Sequence, residues 1–153
     1  MGTPPVITLE KLAELIGSMQ AYSCEISDDI LRITCLDTES QFIAEMFDNS
    51  VQLRQAVFFE YNDLNERSKF DIQNLCSMMN ERFSLTKLFV DRWGVLVNAS
   101  DIFSSHVECN YLNIVLGQVE HMSLSILSAI ELSDAENRPL NDADLDGIFS
   151  YKQ

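Results

Sequence analysis

His106 and Cys109 stand three residues apart at the start of a long apolar-periodic run, a spacing that lets an imidazole and a thiol share one helix face. A helix N-terminus favours a thiolate, and Asn110 is close enough in sequence to orient the base, so the parts of a small Cys/His hydrolase are present. No cysteine-protease signature surrounds them, and the plainer assignment is a histidine in a capping region beside a buried cysteine. Asp142-Ala143-Asp144-Leu145-Asp146-Gly147 matches the first half of an EF-hand calcium loop, with acids at alternate positions and a glycine at the sharp turn. The twelfth position, which needs a bidentate Glu, is Gln153, so a solvated acidic segment is expected there rather than a calcium site. Asp28-Asp29 and Glu60 with Asp63 fall at turns, where acids are common for conformational reasons. His121 stands alone, and scattered histidines and cysteines do not make a zinc site. Glycine-rich phosphate loops, G-x-S-x-G and H-E-x-x-H are absent from the sequence. The expectation is therefore no catalytic residue, no cofactor and no metal. One pair remains. Arg92-Trp93 lies in a turn, where the tryptophan either packs over a sheet edge or is presented to a partner, and both residue types are enriched at interface hot spots.

The elements that must position these residues follow from periodicity. Thr8 can cap a first helix whose apolar residues are Leu9, Leu12, Ala13, Ile16 and Met19. Tyr22, Cys24 and Ile26 then alternate with polar residues, Ser27-Asp28-Asp29 reads as a tight turn, and Leu31, Ile33 and Cys35 complete a hairpin. A third strand covers 41–47. A fourth puts Val51, Leu53, Val57, Phe59 and Tyr61 on one face. Ser68 and Asp71 form a capping-box pattern for a second helix with Ile72, Leu75, Cys76, Met79 and Phe83 on its apolar face. Two further strands, 85–90 and 95–103, flank Asp91-Arg92-Trp93-Gly94, and Gly94 can supply a left-handed turn residue. Ser105 and Glu108 suggest a cap for the longest helix, whose seam is Leu112, Val115, Val119, Met122, Ile126 and Ala129, widened by Leu116, Leu127 and Ile130. Met78-Met79 and Met122 could form an adaptable binding surface, but they read first as core filler. Locally pairing strands followed by covering helices argue for an α+β fold, an antiparallel sheet covered by helices in the order α-β-β-β-(β)-α-β-β-α.

Composition narrows the class. The chain has 153 residues, 46% of them hydrophobic, which suits one globular domain with its own core. Ten Lys and Arg against 24 Asp and Glu leave a net charge of −14, which disfavours nucleic acid and anionic membrane surfaces as partners. Cys24, Cys35, Cys76 and Cys109 are widely spaced and form no C-x-x-C, and the start of the chain has no basic signal-peptide region, so free thiols in the cytoplasm are expected. The composition changes after Glu131 to acids, Pro139 and few large apolar residues. The expected organisation is a domain over residues 1–132 and an acidic, mobile tail over 133–153, dispensable for folding.

The run IQNLCSMMNERFSLTKLFVDRWGVLV, residues 72–97, resembles the core of the YbjN family of bacterial sensory-transduction regulators. That core has a helix carrying Asn, an N-x-x-F ending, a strand, an acidic-glycine turn and a second strand. Asn74, Asn80, Phe83, Asp91 and Gly94 occupy these positions, and the resemblance extends over residues 8–130. The usual Asp-Gly-Asp turn of the family is replaced by Asp91-Arg92-Trp93-Gly94. The family is similar in fold to class I type III secretion chaperones, which are small, acidic and dimeric. The resemblance implies a non-enzymatic bacterial regulator or chaperone-like protein that works through a protein partner, with a homodimer around Arg92 and Trp93 as the expected assembly. A dedicated secretion chaperone for one effector is the alternative.

Overall fold

The computed structural model describes residues 7–47, 50–82, 86–103, 108–141 and 144. Its elements are α1 (Leu9–Gly17), β1 (Tyr22–Ser27), β2 (Ile30–Cys35), β3 (Gln41–Phe47), β4 (Ser50–Phe58), a 3-10 turn (Tyr61–Asp63), α2 (Glu66–Arg82), β5 (Thr86–Val90), β6 (Leu96–Phe103) and α3 (Cys109–Ala135). The α+β order expected from the sequence is the one found. The strands form one six-stranded antiparallel sheet in the order β1-β2-β3-β4-β6-β5, so β1 and β5 are its edges. By contact the chain divides into two compact units, Met1–Gln55 with Ala99–Gly117, and Ala56–Asn98 with Gln118–Gln153.

In the first unit, Thr8 caps α1 by accepting the Lys11 N–H at 3.1 Å. Leu9, Leu12 and Ile16, three and four residues apart, are the buried side of that helix. β1 and β2 pair from Tyr22↔Cys35 to Ser27↔Ile30. The two residues between them, Asp28 and Asp29, have φ of 53° and 62°, the positive pair a type I′ turn requires. Leu31, Ile33 and Cys35 of β2, Phe42 and Ala44 of β3, and Val51 and Leu53 of β4 are buried at period 2, so one sheet face carries the core.

The second unit is built on a separate cluster of Val57, Tyr61, Ile72, Leu75, Met79, Leu88, Leu96, Met122, Ile126, Ala129 and Ile130. Three local details differ from the sequence expectation. β4 stops at Phe58, and the period-2 pattern ends with it: Tyr61 turns inward in the 3-10 turn, while Phe59 is 69% exposed. The cap of α2 is Asn65, not Ser68. Asn65 Oδ1 accepts the Ser68 N–H at 2.8 Å, and the helix starts three residues earlier than the Ser-x-x-Asp pattern suggests. Met78 is 39% exposed, whereas Met79 and Met122 are core residues.

The composition change at Glu131 is not a structural boundary, since α3 runs to Ala135. It ends in a Schellman motif: Asn137 takes φ of 50°, its N–H reaches Asp134 O at 3.0 Å, and the Arg138 N–H reaches Ser133 O at 3.0 Å. Arg138 then grips both carboxylate oxygens of Asp144, at 2.7 and 3.2 Å, and also pairs with Glu136. Leu140 packs on the second core cluster. Ser105, Phe83 and the EF-like loop apart from Asp144 lie outside the described residues.

Candidate functional site

The 91–94 turn is held from several directions. Asp91 Oδ1 accepts the N–H groups of Trp93 at 2.9 Å and Val95 at 3.0 Å. The Asp91 N–H reaches Val95 O at 2.9 Å, and Gly94 N–H reaches Asp91 O at 3.1 Å. A carboxylate accepting two backbone N–H groups is a charge-assisted clamp, stronger than a neutral pair. Gly94 has φ of +79°, and a Cβ there would lie 2.6 Å from Asn62 Cγ. Asn62, from the 3-10 turn, therefore backs directly onto the glycine and leaves room for nothing larger.

This fixed turn carries Arg92 and Trp93. Trp93 is 67% exposed, and the Arg92 guanidinium lies 4.3 Å from the centre of its ring. The two residues singled out from the sequence thus form one stacked pair on the protein surface. Stacking orders the guanidinium and leaves its donor edge free for a carboxylate or carbonyl. The side chains of Asn62 and of Asn80 complete this region; Asn80 is the Asn of the N-x-x-F ending, whereas no spacing rule identifies Asn62. Asn80 donates from Nδ2 to Leu88 O at 3.1 Å and accepts the Leu88 N–H on Oδ1 at 2.8 Å. A helical side chain thereby makes both hydrogen bonds of a strand residue.

The other sequence candidates do not assemble into a site. His106 lies outside the described residues. Cys109 Sγ is 3.6 Å from Leu15 O and 3.6 Å from Ser18 Oγ, so its described neighbours tie α3 to the end of α1. Asp144 is engaged by Arg138 and the Asn141 N–H, and these partners hold its carboxyl below the usual carboxylate range. Among the described residues, no group of three His, Cys, Asp or Glu side chains is placed to hold a metal ion. All four cysteines are free thiols. Burial pushes the Cys76 thiol up to about 11, and it also raises Cys24. A half-buried thiol held neutral in this way is a poor nucleophile. An open groove in the first unit is lined by Leu9, Ile26 and Met46 together with Glu10, Asp29 and Glu45. No described helix is long and apolar enough to cross a membrane.

No known sequence family and no curated protein matches the chain. Solved structures do. The chain is similar to one in the ExsC–ExsE complex, with a TM-score of 0.61 and 11% identity over 80% of this chain and 92% of that one. It is similar to one in the heterodimeric ExoU–SpcU complex of the type III secretion system of Pseudomonas aeruginosa, with a TM-score of 0.59 and 12% identity over 76% and 95% of the two chains. It is also similar to YbjN of E. coli, with a TM-score of 0.57 and 16% identity over 91% of this chain and all of the other. At these identities the likeness is one of fold, and it is the fold that the resemblance of residues 72–97 implied.

Proposed function

We propose that this chain is a non-enzymatic, cytoplasmic protein-binding module, a regulator or chaperone whose work is done by contact with a protein partner. The observation that carries this is the Arg92–Trp93 pair, a large aromatic 67% exposed on a turn whose backbone is clamped by Asp91 and backed by Asn62. Exposing an indole is unfavourable in water, and holding its backbone on a rigid turn lowers the ordering cost of burying it later. The groove in which Leu9, Ile26 and Met46 stand among Glu10, Asp29 and Glu45 is a further surface, half apolar and half acidic, that a partner segment could use. Widely spaced free thiols support the cytoplasm, and the fold relatives found in two-protein complexes support a binding role.

Trp93 is the chain's single tryptophan, so its emission reports on this turn alone. A partner is captured from the native cell with the wild-type chain and with Trp93→Ala, then purified and titrated. The expected result is a blue shift of Trp93 emission on binding and a loss of affinity on the order of 30-fold in Trp93→Ala, the size of a hot-spot residue. A homodimer centred on the turn would show the same shift on concentrating the wild-type chain alone. Binding that leaves both the emission and the Trp93→Ala affinity unchanged removes the turn from the contact.

The fold likeness to a chain of a type III secretion complex favours a second assignment, a dedicated chaperone for one secreted effector. Genes beside the coding sequence discriminate between the two: an adjacent effector that co-purifies as a stable complex selects the chaperone.

A further inference from the structure

β5 is an edge strand, paired on one side with β6. In an antiparallel ladder, the N–H and C=O of one residue point the same way, and alternate residues share that direction. Both backbone groups of Leu88 go to Asn80, so Leu88 is one of the residues whose polar groups face away from β6. Thr86 and Val90 share its direction. An edge of this kind is a template on which another strand can add. The Asn80 amide brings one donor and one acceptor, the two groups that a residue of a neighbouring strand would bring, and meets Leu88 with them at 3.1 and 2.8 Å.

We propose that Asn80 is an edge lock: its side chain takes the place of a seventh strand at the middle of β5 and keeps β5 from pairing with β5 of a second copy of this chain. The second copy is the occupant that fits. Antiparallel pairing of Thr86-Lys87-Leu88-Phe89-Val90 with itself, centred on Leu88, sets Thr86 opposite Val90 and Lys87 opposite Phe89. No like charges then face each other, and the cross-strand pairs are Thr with Val, Lys with Phe and Leu with Leu. The strand has five residues and one charge, so the chain's net −14 does little to protect it locally. Asn80 supplies that protection from the neighbouring helix. This lies beyond the partner contact proposed for the 91–94 turn, because it concerns a surface the folded chain keeps closed.

The test uses the full chain carrying Trp93→Ala, so that association at the turn does not contribute. Sedimentation equilibrium and amide hydrogen exchange at Leu88 are compared for Asn80, Asn80→Ala and Asn80→Asp. Asn80→Ala is expected to lose protection at the Leu88 amide on the order of tenfold in dilute solution, as befits one lost hydrogen bond. It should recover that protection on concentration as its mass moves toward a dimer. Asn80→Asp still accepts the Leu88 N–H and sets a charge at each edge, so it should keep the parent's mass. Adding Thr86→Pro to Asn80→Ala removes a strand donor and should restore the parent's mass. The lock is refuted if Asn80→Ala keeps the parent's mass and Leu88 protection. It is equally refuted if association persists undiminished with Thr86→Pro, since the contact is then elsewhere. Should Asn80→Ala not fold, Asn80→Asp decides alone: parental Leu88 protection without association supports the lock, and loss of that protection overturns it.

Discussion

Replacing Gly94 with Ala perturbs the 91–94 turn at its tightest point, and its cost divides into two parts that can be measured separately. Gly94 has φ of +79°, a conformation that costs a residue with a Cβ about 1–2 kcal/mol. The new methyl would also lie 2.6 Å from Asn62 Cγ, inside contact distance, so the amide must swing away. Leaving its rotamer costs roughly 0.5–1.5 kcal/mol more. The expected total is about 2–3 kcal/mol, which in a chain of this size lowers the melting temperature by about 5–10 °C. In an Asn62→Ala background the methyl has space, and only the conformational part remains. Urea denaturation of the four proteins, followed by far-UV circular dichroism, gives the cycle. A coupling on the order of 1 kcal/mol is expected, with the Gly94→Ala penalty smaller when Asn62 is absent. Identical penalties in both backgrounds would refute the claim that Asn62 backs the turn. A penalty under about 0.5 kcal/mol in either would refute the requirement for glycine.

Asp91→Ala should destabilise the chain by about 1–3 kcal/mol, because two backbone N–H groups lose a charged acceptor; urea denaturation measures it, and Asp91→Asn should recover part of the loss. Cys76 should react with a thiol reagent far more slowly than a model peptide at neutral pH, followed by mass labelling. Because burial raises its folded value above the unfolded 9.0, the stability linked to its neutral form is fully present below pH 9. It should be lost as pH rises from there through about 11, and a Cys76→Ala chain should lack that slope in thermal melts. Deleting residues 134–153, which composition alone predicts to be harmless, should lower the melting temperature measurably, since it removes Leu140 from the core and the Arg138–Asp144 pair. Asp144 has a depressed folded value, so its contribution holds at neutral pH and fades as pH falls below the ordinary carboxylate range; Asp144→Asn should flatten that acid limb.

The fold was legible where periodicity was strong. Leu31, Ile33 and Cys35 alternate without a break, and the α3 seam from Leu112 to Ala129 is buried throughout. Thr8 and Gly94 were also readable, since a hydroxyl before an apolar run and a glycine in a four-residue turn each have a local physical reason. What escaped depended on distance along the chain. Asn80 meets Leu88 eight residues away, and Asn62 meets Gly94 across a helix and a strand. Asn65 carries no distinctive signal, because the Ser68-x-x-Asp71 pattern competes with it one turn later. Hydrophobicity falls away before the end of α3, whereas the helix is stopped by Asn137 and Pro139, whose signal is conformational. Arg92 and Trp93 were found by residue type, but the exposure of the indole was left open by the sequence.

The β1–β2 turn has a consequence for how far this fold can be hardened. Asp28 and Asp29 both occupy left-handed backbone, and they do so as neighbouring negative charges. Asn-Gly is the pair best suited to such a turn. The hairpin therefore holds an unused reserve of stability, reachable by exchanging two solvent-facing side chains without touching the core. Gln20, Glu39 and Asn137 also sit at positive φ, so the reserve is spread over several chain reversals. A sequence that leaves it untapped is well below its ceiling, and it can absorb a destabilising change elsewhere if these turns are improved first.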